Sequence, residues 1–333
     1  MTQIDKPPEK RRDSQSRFPK EKREMRMNRR QFVGGAAAVA VAGVMGRMAW
    51  ADPLGLPIGI QLYTVRDPMM KDTVGTVKQI AGMGYKEVET AGYGTIKTAA
   101  EFRKVLDDAG LKCPSAHLQW DINNLQKSFD DAKALGCKYA TASVPKQLIQ
   151  EKLTKSPAEM SDAERAAWRA KMVAPLTGDD FKKLAEVMNK VGEEAKKNGL
   201  VFAAHNHTME FALVDGVPGY DYLLKNTNPA NVKFEIDCGW ITVAGYKPGD
   251  YVKKFPGRIK MLHIKDFSSW ESGKTGESAK GTEIGKGKVD YKAIFASVKG
   301  TGVEHIFVEQ EAPYTLPPLE AAKADFDYLH SLS

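Results

Sequence analysis

The chain has 333 residues, a net charge of +7 and a pI near 9.0, values that taken whole fit a nucleic-acid or membrane-surface binder. The excess is local: residues 1–51 carry 12 Lys plus Arg against 5 Asp plus Glu, leaving 37 basic and 37 acidic groups in residues 52–333. A neutral body lacks the footprint that a phosphate backbone demands, which excludes nucleic acid as a partner, while about 280 residues suffice for one large α/β barrel or two smaller domains.

In chain order the basic N-terminus comes first. Asn28-Arg29-Arg30-Gln31-Phe32-Val33 precedes an apolar, small-residue run from Gly34 to Met45, and Ala49-Trp50-Ala51 supplies an A-x-A cleavage signal. The segment resembles a twin-arginine (Tat) export signal. Its apolar run is shorter than the roughly 18 residues a membrane span needs and is followed by Gly46 and Arg47, which argues against a stable membrane anchor. Residues 1–51 are therefore read as an N-terminal extension and signal peptide, with the Tat export machinery as a partner and the periplasm, or another exported location, as destination.

From residue 52 to 333, short apolar runs alternate with longer amphipathic ones. The runs Ile58–Leu62, Glu87–Glu89, Cys113–Leu118, Tyr139–Val144, Val201–Asn206, Val232–Ile236, Ile259–Ile264 and His305–Glu309 predict eight strands. Helical patterns lie between them, among them Val74–Met83, Ala99–Ala109, Asn124–Leu135, Phe181–Lys197 and Tyr220–Leu224. Gly84, Gly110, Gly136 and Gly199 stand where left-handed C-caps are expected. No G-x-G-x-x-G follows the first strand, and eight βα units in this length predict a single closed (β/α)₈ (TIM) barrel over 52–333 rather than an open doubly wound sheet. Insertions Lys146–Asp180, with a charged helical stretch Asp162–Met172, and Ser268–Lys288 both follow strands; in such a barrel they read as lids or as subunit contacts of a homo-oligomer. Cys113, Cys137 and Cys238 have no short spacing and are expected as small buried side chains.

Acidic and imidazole groups fall at the ends of these strands. His117, His205, His207 and His263 lie at the ends of strands three, five and seven, Asp237 at six, Glu309 and Glu311 at eight, and Glu89 at two. Closure into a barrel would bring them to one mouth, within reach of a single ion. Oxygen and nitrogen donors without thiolate suit Mn²⁺, Mg²⁺, Co²⁺ or Zn²⁺. Such an ion polarises a sugar carbonyl and stabilises the enediolate formed when a base removes the adjacent proton.

The ordered motifs make the identification sharper. Gly59-Ile60-Gln61-Leu62-Tyr63-Thr64-Val65-Arg66, Glu87-Val88-Glu89, Ser115-Ala116-His117 and His205-Asn206-His207 with Glu210-Phe211 come first. Ile236-Asp237-Cys238-Gly239-Trp240, His263-Ile264-Lys265-Asp266, Gly285-Lys286-Gly287 before Val289-Asp290, and Val308-Glu309 complete the set. Over residues 57–331 it resembles the xylose isomerase-like barrels, specifically the sugar phosphate isomerase/epimerase group that includes ketose epimerases and inosose dehydratases. The resemblance implies four metal ligands from strands five to eight, usually Glu, Asp, His and Glu. Asp237, His263 and Glu309 match; where many members have the first glutamate, this chain has His205, and the nearest glutamate is Glu210. In the epimerases the two metal-bound glutamates form the acid/base pair, so here Glu309 keeps one half and Glu210 or a histidine is left to supply the other.

The expected site has Asp237, His263 and Glu309 as ligands of one divalent ion, with His205 the fourth and His207 its rival, because strand alternation points both the same way. Glu309 or Glu210 is the expected base. Lys265 and His117 are assigned to substrate hydroxyls or the developing oxyanion, with a Lys265–Asp266 pair as the alternative; Glu89 and Gln61 complete the polar floor. Trp240 either stacks on a sugar face or packs, and His305 and His330 are structural. The function this implies is isomerisation or epimerisation of a free sugar or keto-sugar derivative. Inosose-type dehydration, or lyase or hydrolase cleavage of a 3-keto glycoside, would use the same site. A non-catalytic sugar-binding barrel is the alternative from another class, and the basic groove of a phosphodiesterase is missing.

Overall fold

Eight short strands pair side by side in the computed structural model, which describes residues 53–117, 125–143, 161–164, 175–271 and 278–332. They are β1 Ile58–Gln61, β2 Glu87–Thr90, β3 Lys112–His117, β4 Tyr139–Ser143, β5 Val201–His205, β6 Val232–Asp237, β7 Ile259–Ile264 and β8 His305–Val308. Each runs parallel to its neighbours in sequence, and β8 closes on β1 with Phe307 beside Gly59. The helices that follow them are α1 Thr73–Met83, α2 Ala99–Asp108, α3 Leu125–Leu135, α4 Gly178–Lys197, α5 Gly219–Asn226, α6 Pro248–Lys254, α7 Tyr291–Val298 and α8 Pro318–Ser331. This is the expected (β/α)₈ barrel, with strand bounds within a residue of those read from the apolar runs. The segment read as an export leader, Leu118, Val144 and Asn124, most of the first insertion with most of Asp162–Met172, and 272–277 of the second lie outside the described residues. Among the described residues no helix is long and apolar enough to cross a membrane.

Local chemistry starts and stops the helices. Asp72 accepts the Gly75 N–H ahead of α1, Thr98 that of Glu101 ahead of α2, and Thr177 with Asp180 forms a reciprocal capping box on α4. The glycines expected at the C-caps of α1 to α4 all have positive φ, from 73° at Gly110 to 117° at Gly84.

The period of two along each strand sorts side chains between the lumen and the helix layer. Outward residues such as Ile236, Ile264 and Val308 join the large core against the helices. Inward, Tyr139, Ala203, Met261 and Phe307 form a separate apolar plug. Two residues further along the same strands come Thr141, His205, His263 and Glu309, so the lumen turns polar toward its C-terminal mouth. Gly59 makes room for the plug: a Cβ there would lie 2.6 Å from Phe307 Cδ1 and 2.8 Å from the Ile306 carbonyl oxygen. Gly59→Ala should therefore cost about 1–3 kcal/mol of stability through overpacking, read as a lower urea midpoint with an unchanged m-value.

Two local features add to what the sequence suggests. Part of the second insertion is an antiparallel arm, Asp266–Ser269 against Lys280–Thr282, pinned where Asp266 accepts backbone N–H groups of Gly285, Gly287 and Val289 at 2.9–3.0 Å. The three cysteines are buried and free as expected, but Cys113 and Cys137 are neighbours, their sulfurs 3.6 Å apart.

Candidate metal centre

Four side chains from four successive strands meet at the mouth: His205 from the end of β5, Asp237 from the end of β6, His263 from β7, and Glu309 just after β8. All are buried, and each offers a nitrogen or oxygen such that the donor atoms lie within 4.8 Å of one another. The backbone turns that follow the strands hold them in place. Asp237 Oδ1 caps the short helix Cys238–Val243 by accepting the Trp240 N–H at 2.8 Å, and the Asp237 N–H donates to Asn206 Oδ1 at 3.2 Å. That leaves Asp237 Oδ2 buried without a hydrogen bond, facing the Lys265 ammonium at 3.3 Å. Two imidazoles and two carboxylates, one with a free buried oxygen, fit a divalent cation of the first transition row or Mg²⁺.

Two cationic side chains already stand against the carboxylates of the cluster. Lys265 Nζ lies 2.8 Å from Glu309 and 2.5 Å from Glu311, and Tyr291, from α7, fixes its backbone by accepting its N–H and donating to its carbonyl. Burial opposes a charge on Lys265, but Glu309, Asp237 and Glu311 outweigh it and hold the pKa well above the ordinary value. Burial would raise the Glu309 pKa; Lys265 and His263 hold it well below the carboxylate range instead. His263 is likewise kept charged against its burial by Glu235 and Glu309, whereas burial leaves His205 neutral. For Asp237 burial wins, pushing its pKa up to about 6.

The remaining expected site residues fall into four groups. His117 and His207 border the cluster, their rings 5.0 Å from that of His205, and burial lowers the pKa of His207 to about 4. Trp240 packs its ring 4.6 Å from Phe267, with Lys265 Nζ 5.1 Å from it. Glu89 and Gln61 lie deeper and have no exposed surface: Glu89 receives hydrogen bonds from Gln61 Nε2 (2.7 Å), Ser115 Oγ (2.5 Å) and His263 Nε2 (2.8 Å). Glu210 stands apart, on a short turn after β5, where it accepts the His207 N–H at 2.8 Å. Lys265 pairs across the mouth and Asp266 with backbone amides, so the alternative Lys265–Asp266 pair is not what forms. Sequence reasoning missed Glu235, fully buried 3.0 Å from His205 Nδ1 and 3.1 Å from His263 Nε2. Its signal was the alternation that puts it on the same face as Asp237, two residues on.

Burial raises the Glu210 pKa to about 7 from an ordinary value near 4.5. The folded state thus keeps a proton that the unfolded chain releases, so this contribution to stability is complete below pH 4.5 and lost as pH rises through 7. Glu210→Gln should be more stable than wild type above pH 7, by about 3 kcal/mol at most, with the difference vanishing below pH 4.5. Urea titrations at pH 4.5 and 8 check it, and a pH-independent difference would refute it.

Comparison with known proteins agrees with the fold. The sequence model of the family described as xylose isomerase-like TIM barrel matches residues 77–332. An inosose dehydratase of Lacticaseibacillus casei is 26% identical over 166 residues, which are 46% of this chain and 55% of that protein, so the chain spans about half the length of this curated relative. A sugar phosphate isomerase/epimerase from Parabacteroides distasonis superposes with a TM-score of 0.62 at 25% identity, covering 82% of this chain and 97% of that one. The IOLI protein with a binding zinc atom superposes with a TM-score of 0.60 over 83% and 98% of the two chains, and at 15% identity that likeness is one of fold.

Proposed function

Since the chain belongs to the xylose isomerase-like TIM barrel family, we propose that it is a metal-dependent enzyme of isomerase/epimerase type that removes the proton beside the carbonyl of a free sugar or keto-sugar derivative. One observation carries this reading: His205, Asp237, His263 and Glu309 converge, buried, with Lys265 beside the two carboxylates. These four residues would hold the divalent ion, which when bound would polarise the substrate's carbonyl and neighbouring hydroxyl oxygens.

The chain's own groups then have separable tasks. Glu309, ionised, takes the proton from carbon; the C–H electron pair becomes a C=C bond and the carbonyl π pair moves onto oxygen, giving an enediolate. Lys265, protonated, donates to that oxygen; as it turns from Glu309 to the substrate, Glu309 loses a positive neighbour and becomes a stronger base. His117, His207 and Trp240 line the mouth where sugar hydroxyls would lie. Proton return to the same carbon from the other face gives an epimer, and return to the neighbouring carbon an isomer.

A second reading, loss of a β-substituent from the same enediolate as in an inosose-type dehydratase or a 3-keto-glycoside lyase, is favoured by one feature. Among the described residues the cations against Glu309 are Lys265 and His263, while the carboxylate that shares Lys265 with it, Asp237, is itself in the ligand group. An ammonium can protonate a departing oxygen, whereas two-base epimerisation wants a matched pair. The names of the curated relatives point the same way. A free rather than phosphorylated substrate accords with the export that the leader implies, and export of the folded chain belongs to this proposal.

The test is elemental analysis of the purified protein combined with turnover of keto-sugars and 3-keto glycosides in D₂O. A bound divalent ion and deuterium at one substrate carbon are expected; deuterated substrate or its epimer indicates proton return, and an unsaturated ketone indicates elimination. Sugar binding by the metal-loaded chain without exchange at any carbon would make it a non-catalytic binding barrel instead.

A further inference from the structure

Beneath the four candidate ligands lies a layer of carboxyl groups for which the proposed chemistry has no task. Glu235 comes from β6 and Glu89 from β2, strands that face each other across the barrel, and neither side chain has exposed surface. Glu235 Oε2 is 3.0 Å from His205 Nδ1 and 3.1 Å from His263 Nε2; Glu89 Oε2 is 2.8 Å from His263 Nε2. An ionised carboxylate at these distances accepts from a ring N–H, so its presence favours the tautomers that carry hydrogen on Nδ1 of His205 and on Nε2 of His263. Glu235 Oε1 has no partner of its own, so the hydrogen-bonding of this carboxyl is spent on the two imidazoles. Glu89 is itself tied to Gln61 and Ser115, and Ser115 Oγ lies 2.7 Å from Thr141 Oγ1, giving the layer attachments on β1 to β4.

We infer that Glu235, seconded by Glu89, is a positioning residue of the cation site: it fixes the orientation and tautomer of two ligand imidazoles, so that His205 presents Nε2 and His263 presents Nδ1. The inference rests on the metal-centre reading. It follows from the chemistry of imidazole ligands, whose second nitrogen needs an acceptor to be held in one tautomer, and outer groups of this kind typically change metal affinity by about 10–100-fold. The His263 nitrogen so presented is the one 3.0 Å from Glu309 Oε2, another member of the ligand group. The two assignments are thus mutually consistent.

Calorimetric titration of the wild-type, Glu235→Ala and Glu235→Gln chains with Mn²⁺ or Zn²⁺ alone provides the test, with melting curves to establish folding. Glu235→Ala should bind both ions about 10–100-fold more weakly, and Glu235→Gln, which keeps one acceptor oxygen, should fall between it and wild type. Ring ¹⁵N spectra of histidine-labelled wild type should show an Nδ1–H tautomer for His205 with and without zinc, and a retained Nε2–H on His263 in the zinc-loaded chain. The wild-type spectra decide the matter even if Glu235→Ala fails to fold. Equal affinity in all three chains, or an Nε2–H tautomer for His205, overturns the inference while leaving the metal centre intact; a wild type that binds neither ion overturns the metal centre itself and the positioning role with it.

Discussion

Asp237→Ala is expected to yield a folded chain that holds no divalent ion and turns over keto-sugars slower by about 10³-fold or more, the scale set by losing an electrostatic stabiliser of the enediolate. The reason lies in how its two oxygens are used. Oδ1 caps the helix Cys238–Val243, a contact whose loss costs about 1 kcal/mol, and Oδ2 is the buried oxygen without a hydrogen bond that a cation would take. Asp237→Asn separates the two tasks, since an amide oxygen can still cap while the charge is gone. In the metal-free state the buried carboxylate is itself unfavourable, its pKa pushed up to about 6. The folded chain therefore holds a proton that the unfolded chain loses between pH 4 and 6, and this contribution to stability is gone above 6. Metal-free Asp237→Asn should consequently melt no lower than wild type at pH 8, yet bind no ion. Plasma emission metal analysis and melting curves in EDTA provide the readouts. Full metal content in either variant would remove Asp237 from the ligand set.

Lys265→Met should separate metal binding from catalysis in the opposite sense. The buried ammonium is the counter-charge of buried Asp237 and Glu309 and of the partly exposed Glu311. Its removal leaves Asp237 without its near cation and Glu309 with His263 alone, and losing one partner of a buried ion pair typically costs about 3–5 kcal/mol, so the metal-free variant should unfold at markedly lower urea. A divalent cation restores the missing charge, so the same variant should bind metal at least as tightly as wild type and regain more stability on loading than wild type does. Turnover should nonetheless fall by about 10²–10³-fold, as expected when a donor to a developing oxyanion is lost. A loaded Lys265→Met enzyme with wild-type kcat would assign the lysine to charge balance alone.

How legible was this protein in its sequence? Most strands were readable because they are short apolar runs that end beside a polar residue, and helix ends were readable because Gly84, Gly110, Gly136 and Gly199 occupy backbone conformations that favour glycine. His205, Asp237, His263 and Glu309 were legible as strand-end residues of the right chemistry. The antiparallel arm after β7 was not: its strands are brief and polar, and what holds it is Asp266 collecting amides from residues about twenty positions away. Glu210, read as a candidate base from its place near the expected ligand, stands on a buried turn where it accepts the His207 N–H, an arrangement that no local pattern announces.

Composition, apolar period and punctuation by glycine are local properties, and they were enough to determine eight βα units, the closed barrel and the face on which acidic and imidazole groups gather. Which of those groups share one centre was decided only by tertiary structure, because the choice depends on barrel register. The same closure that brings β5 to β8 together at the mouth also sets Glu235 and Glu89 beneath the imidazoles and swings Lys265 across to Glu309 rather than to its sequence neighbour Asp266. Distances of about 3 Å between residues far apart in the chain decide charge state and hydrogen bonding in a buried site, and no one-dimensional pattern encodes them.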